Sequence, residues 1–214
     1  MITTELNLTK INKSPYLIRK NLELILGSNR RTLDYKIESM IKDKILIRIK
    51  PGFYISTDYL NSQTDTEEYL EYIGNILREP SYISLRYALF KYNLIPESIY
   101  EITYITTKKP AKFESSVKNF SYRNINEQLF DRYTTFTYKD KLVNIAYPYK
   151  ALFDFFYYIN FKSKDEIADF IETSRINWDN LDTKNKKLLE KILKLSNNKM
   201  SLILEVLKDR KILW

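Results

Sequence analysis

Arg30, Arg31, Thr32, Tyr35, Lys36 and Ser39 lie close together in one short stretch, and their chemistry suits nucleic acid. Arginine can form a bidentate bond to guanine, and threonine and serine reach several base edges. Lysine and arginine neutralise phosphates whatever the sequence. Asn29, immediately upstream, is a helix-capping residue. A helix beginning there leaves first-turn N–H groups facing outward, which with the helix dipole and Arg30 and Arg31 favours phosphate. Downstream, Lys44, Arg48 and Lys50 stand in a β-rich run, where they would fix orientation on a phosphate backbone rather than read bases.

Two elements must hold these side chains in place. Leu33, Ile37, Met40 and Ile41 recur at the spacing of one apolar helical stripe. That period puts Arg31, Tyr35, Ser39 and Lys42 on the opposite face, with Thr32 beside them. Ile45–Lys50, Pro51-Gly52 and Phe53–Ser56 then read as strand, turn and strand, a hairpin. Ahead of them, Ser14 as cap and Pro15 as first helical residue predict a helix with Leu17, Leu22, Ile25 and Leu26 on its apolar side, ended by Gly27. Gly27-Ser28 is then the turn between two helices. The pattern predicts a winged helix-turn-helix over residues 1–60, its second helix entering the major groove of DNA. Residues 1–13 are mixed, with Met1–Asn7 expected to fray. Such a unit can also bind protein. Residues 10–50 carry 11 basic against 4 acidic side chains, a net +7 that favours DNA.

Composition removes many other functions. The chain has 214 residues, 44% hydrophobic and 14% aromatic, enough for one large or two small packed domains. Cysteine and histidine are absent, which excludes disulfides, zinc fingers, thiol nucleophiles and imidazole bases. The three glycines, Gly27, Gly52 and Gly74, are too scattered for a phosphate-cradling loop. No catalytic residue, metal site or cofactor is therefore expected, and carboxylate–Mg²⁺ chemistry or a lysine or tyrosine nucleophile is what remains on the enzyme side. The charge of +8 is uneven: residues 1–60 carry 11 Lys/Arg against 6 Asp/Glu, residues 61–182 carry 15 against 18, and residues 183–214 carry 9 against 3. Basic ends around an acidic middle point to a polyanion met by the ends. No apolar run reaches the roughly 18 residues of a bilayer span. Met1–Glu5 lacks the basic-then-apolar pattern of an export signal. A cytoplasmic protein without membrane contact is expected.

Beyond a polar linker at residues 61–65, Thr64-x-x-Glu67 matches a capping box opening a helix, and Pro80 ends it. Ser81–Ser84 leads into a short helix with Leu85, Ala88, Leu89 and Tyr92 on one face. Ile102–Thr107, Lys112–Val117, Phe120–Arg123, Thr134–Tyr138 and Leu142–Ala146 predict an antiparallel sheet of four or five strands. Pro148 starts a helix apolar around nearly its whole circumference and therefore buried. Asp154 inside it is expected to be a hydrogen-bonded structural acid. Ser163-x-x-Glu166 opens a further helix, and two more fill the tail, Leu188, Leu189, Ile192 and Leu195 facing inward. The fold class is α+β: an N-terminal winged helix-turn-helix, then residues 61–214 with a small antiparallel sheet and a helical end.

Three stretches resemble the AbiEi family of antitoxins, from type IV toxin–antitoxin systems linked to abortive phage infection. They are the hairpin end Pro51-Gly52-Phe53-Tyr54-Ile55; Pro80–Leu89 with Leu94-Ile95-Pro96-Glu97; and Ala146-Tyr147-Pro148-Tyr149-Lys150-Ala151-Leu152-Phe153-Asp154. The similarity covers about residues 14–160; the family tends to have an acidic residue where Tyr149 stands. The resemblance implies a transcriptional autorepressor that binds inverted repeats in its own promoter. It also implies a C-terminal domain opposing a nucleotidyltransferase-like toxin, AbiEii, without a stable complex. Two other classes compete. One joins a winged helix to a nuclease-like domain, which needs clustered carboxylates and a nearby lysine for Mg²⁺ chemistry; Glu114 and Lys118 lack the Glu-x-Lys spacing that puts both on one strand face, and a helix start explains Asp65, Glu67 and Glu68 better. The other is a protein–protein interaction module, favoured by 18 tyrosines.

Overall fold

The computed structural model describes residues 5–214. The expectations placed on residues 1–4 lie outside that range, while residues 5–7 already belong to a helix. The chain divides into two compact units, residues 5–74 with Lys112–Phe120, and Asn75–Ala111 with Ser121–Trp214. The first therefore extends past the polar stretch at 61–65 and takes in a short excursion from later in the chain.

The first unit contains α1 (Glu5–Asn12), β1 (Leu17–Ile18), α2 (Arg19–Leu26), α3 (Arg30–Lys42), β2 (Leu46–Lys50), β3 (Phe53–Ser56), α4 (Thr57–Asn61) and most of α5 (Thr66–Leu77). Its strands are antiparallel in the order β1-β3-β2. Ile11, Leu17, Leu22, Leu26, Leu33, Ile37, Met40, Leu46 and Tyr54 form one core. The α3 stripe is thus buried as its spacing requires.

The helix expected from Ser14-Pro15 starts four residues later, at Arg19. Ser14 instead closes α1, its hydroxyl donating to the Lys10 carbonyl at 2.8 Å. Leu17 and Ile18 face Tyr54 and Phe53 across the sheet, and the Tyr16 ring stacks on Phe53 with centroids 5.1 Å apart. The Arg19 amide donates to the Gly52 carbonyl at 3.0 Å. A strand partner supplied by the hairpin satisfies backbone groups that a local capping signal cannot, so tertiary pairing overrides it. Gly52 has φ +78°, the left-handed conformation that this turn needs and that glycine adopts without strain.

At the start of α5 the cap is Asp65, accepting from the Glu68 amide at 2.8 Å, rather than Thr64. In the excursion, the Lys118 ammonium donates to both carboxylate oxygens of Glu67, at 2.6 and 2.9 Å. Lys118 is nearly buried and Glu67 about half exposed. The Ser115 hydroxyl turns the chain there, accepting from the Lys118 amide and donating to its carbonyl. Lys118→Met is expected to lower stability by about 1–2 kcal/mol, read as a shifted urea midpoint, because a charge-assisted pair is lost while Glu67 keeps water. An unchanged midpoint would show that the pair does not hold the excursion.

The second unit contains β4 (Ser81–Ile83), α6 (Leu85–Lys91), β5 (Ile102–Thr106), the first residue of β6 (Ala111–Phe113), all but the first residue of β7 (Phe120–Asn124), β8 (Tyr133–Tyr138), β9 (Lys141–Ala146), α7 (Pro148–Tyr158), α8 (Lys164–Thr173), α9 (Thr183–Lys194) and α10 (Asn198–Asp209). The class is α+β. The sheet has six strands in the order β6-β7-β5-β4-β9-β8, antiparallel at β4/β5 and β8/β9 and parallel at β4/β9. The strand added to those expected is β4, a three-residue segment whose side chains are all buried. A strand that short and that covered shows no alternation to read. In α9, Leu189, Ile192 and Leu193 face the core, whereas Leu195, expected inside, is 72% exposed beyond the helix end.

Beneath β4 and α7 lies a charged cluster with no access to water. Lys150 and Asp154 are fully buried and paired at 2.6 Å. Asp154 also accepts from the Ser84 hydroxyl at 2.7 Å and the Tyr82 hydroxyl at 3.0 Å. Lys150 donates to the Leu129 carbonyl at 2.8 Å and lies 4.9 Å from the Phe153 ring centroid. Asp154 thus has the partners that its burial demands. These bonds join two of the stretches that carry the family resemblance, Pro80–Leu89 and Ala146–Asp154. They also flank a strained residue: Leu85, directly after Ser84, has φ +59°, rare for a bulky side chain. Among the described residues no helix is long and apolar enough to cross a membrane.

Candidate nucleic-acid interface

The turn between α2 and α3 sets the direction of α3. Gly27 takes φ +55°, and its amide donates to the Glu23 carbonyl at 3.0 Å. Ser28 donates through its hydroxyl to the Leu26 carbonyl at 2.9 Å. Asn29 caps α3, its side-chain oxygen accepting from the Thr32 amide at 3.0 Å. One donor of the first turn is therefore used by the cap, and the others lie at the helix end beside Arg30 and Arg31.

With Leu33, Ile37 and Met40 buried, the other side of α3 is open. Arg30, Arg31, Thr32, Tyr35 and Ser39 are all exposed, Tyr35 at 78%. Ser39 makes a long hydrogen bond to Asp43, at 3.3 Å. Arg30 and Arg31 stand in the first turn of the helix, where the dipole adds to their charge.

Lys36 is placed differently from the others. It is half-buried, and its ammonium donates to the Leu26 carbonyl at 3.2 Å and the Ser28 hydroxyl at 2.6 Å. It pins the turn from within instead of projecting from it. Sequence spacing put it one step from the outer face, and nothing local shows that the open carbonyl at the end of α2 would claim it.

On the hairpin, Arg48 is exposed, pairs with Glu38 of α3 and lies 5.9 Å from the Tyr54 ring centroid. Lys50 sits over Phe53 and Phe113, at 5.9 and 5.2 Å. A register shift between Arg48 and Lys50 marks an irregularity in the ladder there. One pair has no signature in the local sequence: Arg19, at the start of α2, binds Asp34 of α3. That hydrogen bond holds the Asp34 carboxyl below its ordinary value. The structure thus gathers Asn29, Arg30, Arg31, Thr32, Tyr35 and Ser39 on one helix, with Arg48 tied to it through Glu38.

Comparison with protein-family models finds no match, and comparison with curated proteins finds none.

Most of the acidic residues that a Mg²⁺ site would draw on have other partners. Glu114 pairs with Lys112 at 2.9 Å, Glu67 binds Lys118, and Asp65 caps α5. Among the described residues no three acidic side chains are grouped closely enough to hold a metal ion.

Proposed function

We propose that this chain is a DNA-binding transcriptional repressor acting in the cytoplasm through a winged helix-turn-helix in its first unit. The reading rests on the open face of α3. Cationic and hydroxyl-bearing side chains stand opposite a buried apolar stripe, at a capped helix N-terminus, with a basic hairpin following. The element order α1-β1-α2-α3-β2-β3 and the sheet order β1-β3-β2 support it, as does the excess of basic residues over 10–50. In this reading α3 enters the major groove. Arg31, Thr32, Tyr35 and Ser39 meet base edges there, while Asn29, Arg30, Arg48 and Lys50 orient the protein on phosphates. Lys36 acts indirectly, by fixing the turn that aims α3.

The expected result is binding to a duplex carrying inverted repeats from the promoter of its own operon, with strong salt dependence. If Arg30, Arg31, Arg48 and Lys50 each release a phosphate counterion, log K against log salt falls with a slope of about −3 to −4. Fluorescence anisotropy across a salt series reads this directly. A flat dependence would remove the electrostatic basis of the reading.

For the second unit we propose the antitoxin role that the AbiEi resemblance implies, against a nucleotidyltransferase-like toxin. Co-expression with the adjacent reading frame tests it. Growth rescued by the full chain, and lost on substitutions in the second unit that leave DNA binding intact, is the supporting outcome. Rescue that tracks operator binding alone would place the activity in repression instead.

A further inference from the structure

A cleft of about 360 Å³ opens in the second unit beside the β4–α6 junction. Leu85 and Phe155 give it apolar wall, Arg86 and Arg123 bring positive charge, and Glu101 and Tyr158 complete it. The two guanidinium groups keep donors to spare. Arg86 meets Glu97 at 3.9 Å, beyond hydrogen-bond range, and Arg123 lies over the Tyr158 ring at 5.0 Å. A guanidinium carries five N–H donors, so each retains a fork able to take an anion. Glu101 is held by the Ser121 hydroxyl at 3.0 Å and brings an acceptor into the same space.

The cleft is also built on a strained support. Leu85, which lines it, is the residue at φ +59°. Its neighbour Ser84 is tied to the Asp154–Lys150 pair, and the Ser84 carbonyl accepts from Thr103 at 2.6 Å. Strain of this kind costs of order 1–3 kcal/mol and persists where surrounding structure over-determines it, commonly at ligand sites. A buried ion pair that rigidifies this junction holds the cleft wall in one shape before any ligand arrives.

We propose that this cleft binds a mononucleotide-sized organic phosphate, with Arg86 and Arg123 on the phosphate and Glu101 accepting from a hydroxyl or amino group of its body. Three features select that chemistry. Two guanidinium forks call for an anion with several acceptor oxygens, as a phosphate has. The apolar wall of Leu85 and Phe155 calls for a body with a flat or apolar face. The carboxylate calls for a donor on that body, which a bare inorganic anion lacks. The volume lies at the lower end of small-molecule sites. The site is independent of the α3 surface, and its test does not require that surface to bind DNA.

The test titrates the full chain with the four nucleoside 5′-monophosphates, with adenosine and with inorganic phosphate, by calorimetry and by thermal unfolding. At least one monophosphate should bind and raise the melting temperature. Adenosine and inorganic phosphate should each bind at least about tenfold more weakly, since each carries half of the recognised groups. Arg86→Ala and Arg123→Ala should each weaken binding about tenfold or more. Both side chains are exposed, so the ligand-free melting temperature should not change. Glu101→Gln should weaken the nucleotide relative to inorganic phosphate, whose binding should hold or tighten because a negative charge leaves the cleft. Absence of binding by all four monophosphates at millimolar concentration overturns the proposal. So does binding that survives the Arg86→Ala/Arg123→Ala double variant, or inorganic phosphate that binds as tightly as the nucleotides.

Discussion

Lys150→Met is expected to lower the unfolding free energy by about 3–5 kcal/mol, the usual cost of leaving one member of a buried ion pair without its partner. Methionine matches the lysine stem in length, so little volume is lost and packing does not explain the effect. What remains is an Asp154 carboxylate held by the Ser84 and Tyr82 hydroxyls in a fully buried site. Asp154→Asn approaches the same point from the other side, stranding a buried ammonium on the Leu129 carbonyl. The double variant Lys150→Met/Asp154→Asn leaves no buried charge, and its amide oxygen can still accept from Ser84 and Tyr82. It should therefore recover a large part of either single loss, and a urea double-mutant cycle measures the difference. Additive losses would mean that the two groups do not act as a pair.

The same variant makes a pH prediction with a definite sign. Burial already pushes the Asp154 carboxyl above its ordinary value of 3.8, against the opposing pull of Lys150, Ser84 and Tyr82. Removing Lys150 takes away the nearest stabilising charge, so the carboxyl rises further. Between the unfolded and the raised folded value the native state binds more protons than the unfolded state. Unfolding free energy must then decline as pH rises through that window. Lys150→Met should accordingly be closest to wild type near the ordinary carboxylate pKa and lose ground towards neutrality. A deficit that stays constant with pH would show that the loss is not electrostatic.

How far the chain could be read from its residues depended on whether a feature was local or tertiary. The α3 stripe, the Pro51-Gly52 hairpin, the Pro148 helix start and the Ser163 cap were legible because each is encoded within a few residues. The β1 pairing was not, since Ser14-Pro15 is a sound capping signal that loses only once the hairpin offers Leu17 and Ile18 a strand partner. β4 was hidden because Ser81-Tyr82-Ile83 is too short to alternate. The outward face of α3 followed from periodicity, but the fate of individual cations did not. Lys36 is drawn to the carbonyl ending α2, and Arg48 to Glu38, through contacts that spacing cannot supply. Asp154 was legible as a buried acid needing partners, while the identity of three of them, in Lys150, Ser84 and Tyr82, required the sheet and α7 to be placed together. The Arg86–Arg123 cleft left no local signal, because its residues come from separate elements.

Replacing both Arg30 and Arg31 by alanine should reduce operator affinity by far more than any change on the hairpin. A base-reading arginine is worth about 1–3 kcal/mol, and the phosphate contact adds its own share. The two positions are separable by what each loses. Arg31→Ala should lower affinity for the operator while leaving affinity for unrelated duplex nearly intact. Arg30→Ala should weaken both alike and reduce the salt slope by about 1. Arg48 starts from a different position, because Glu38 already neutralises part of its charge. Arg48→Ala should therefore cost less than either, and Glu38→Gln should tighten binding to any duplex by freeing the guanidinium. Lys36→Met is the control for position within α3: its ammonium is committed to the turn, so thermal stability should fall while the salt slope holds. The order Arg31 above Arg30 above Arg48 in the operator affinity lost follows from a base-reading, a phosphate-binding and a partly neutralised arginine, while Lys36 acts through the turn that aims α3 and not through a phosphate contact. An Arg30→Ala/Arg31→Ala protein that binds operator with wild-type affinity and slope would place the DNA contact on some other surface.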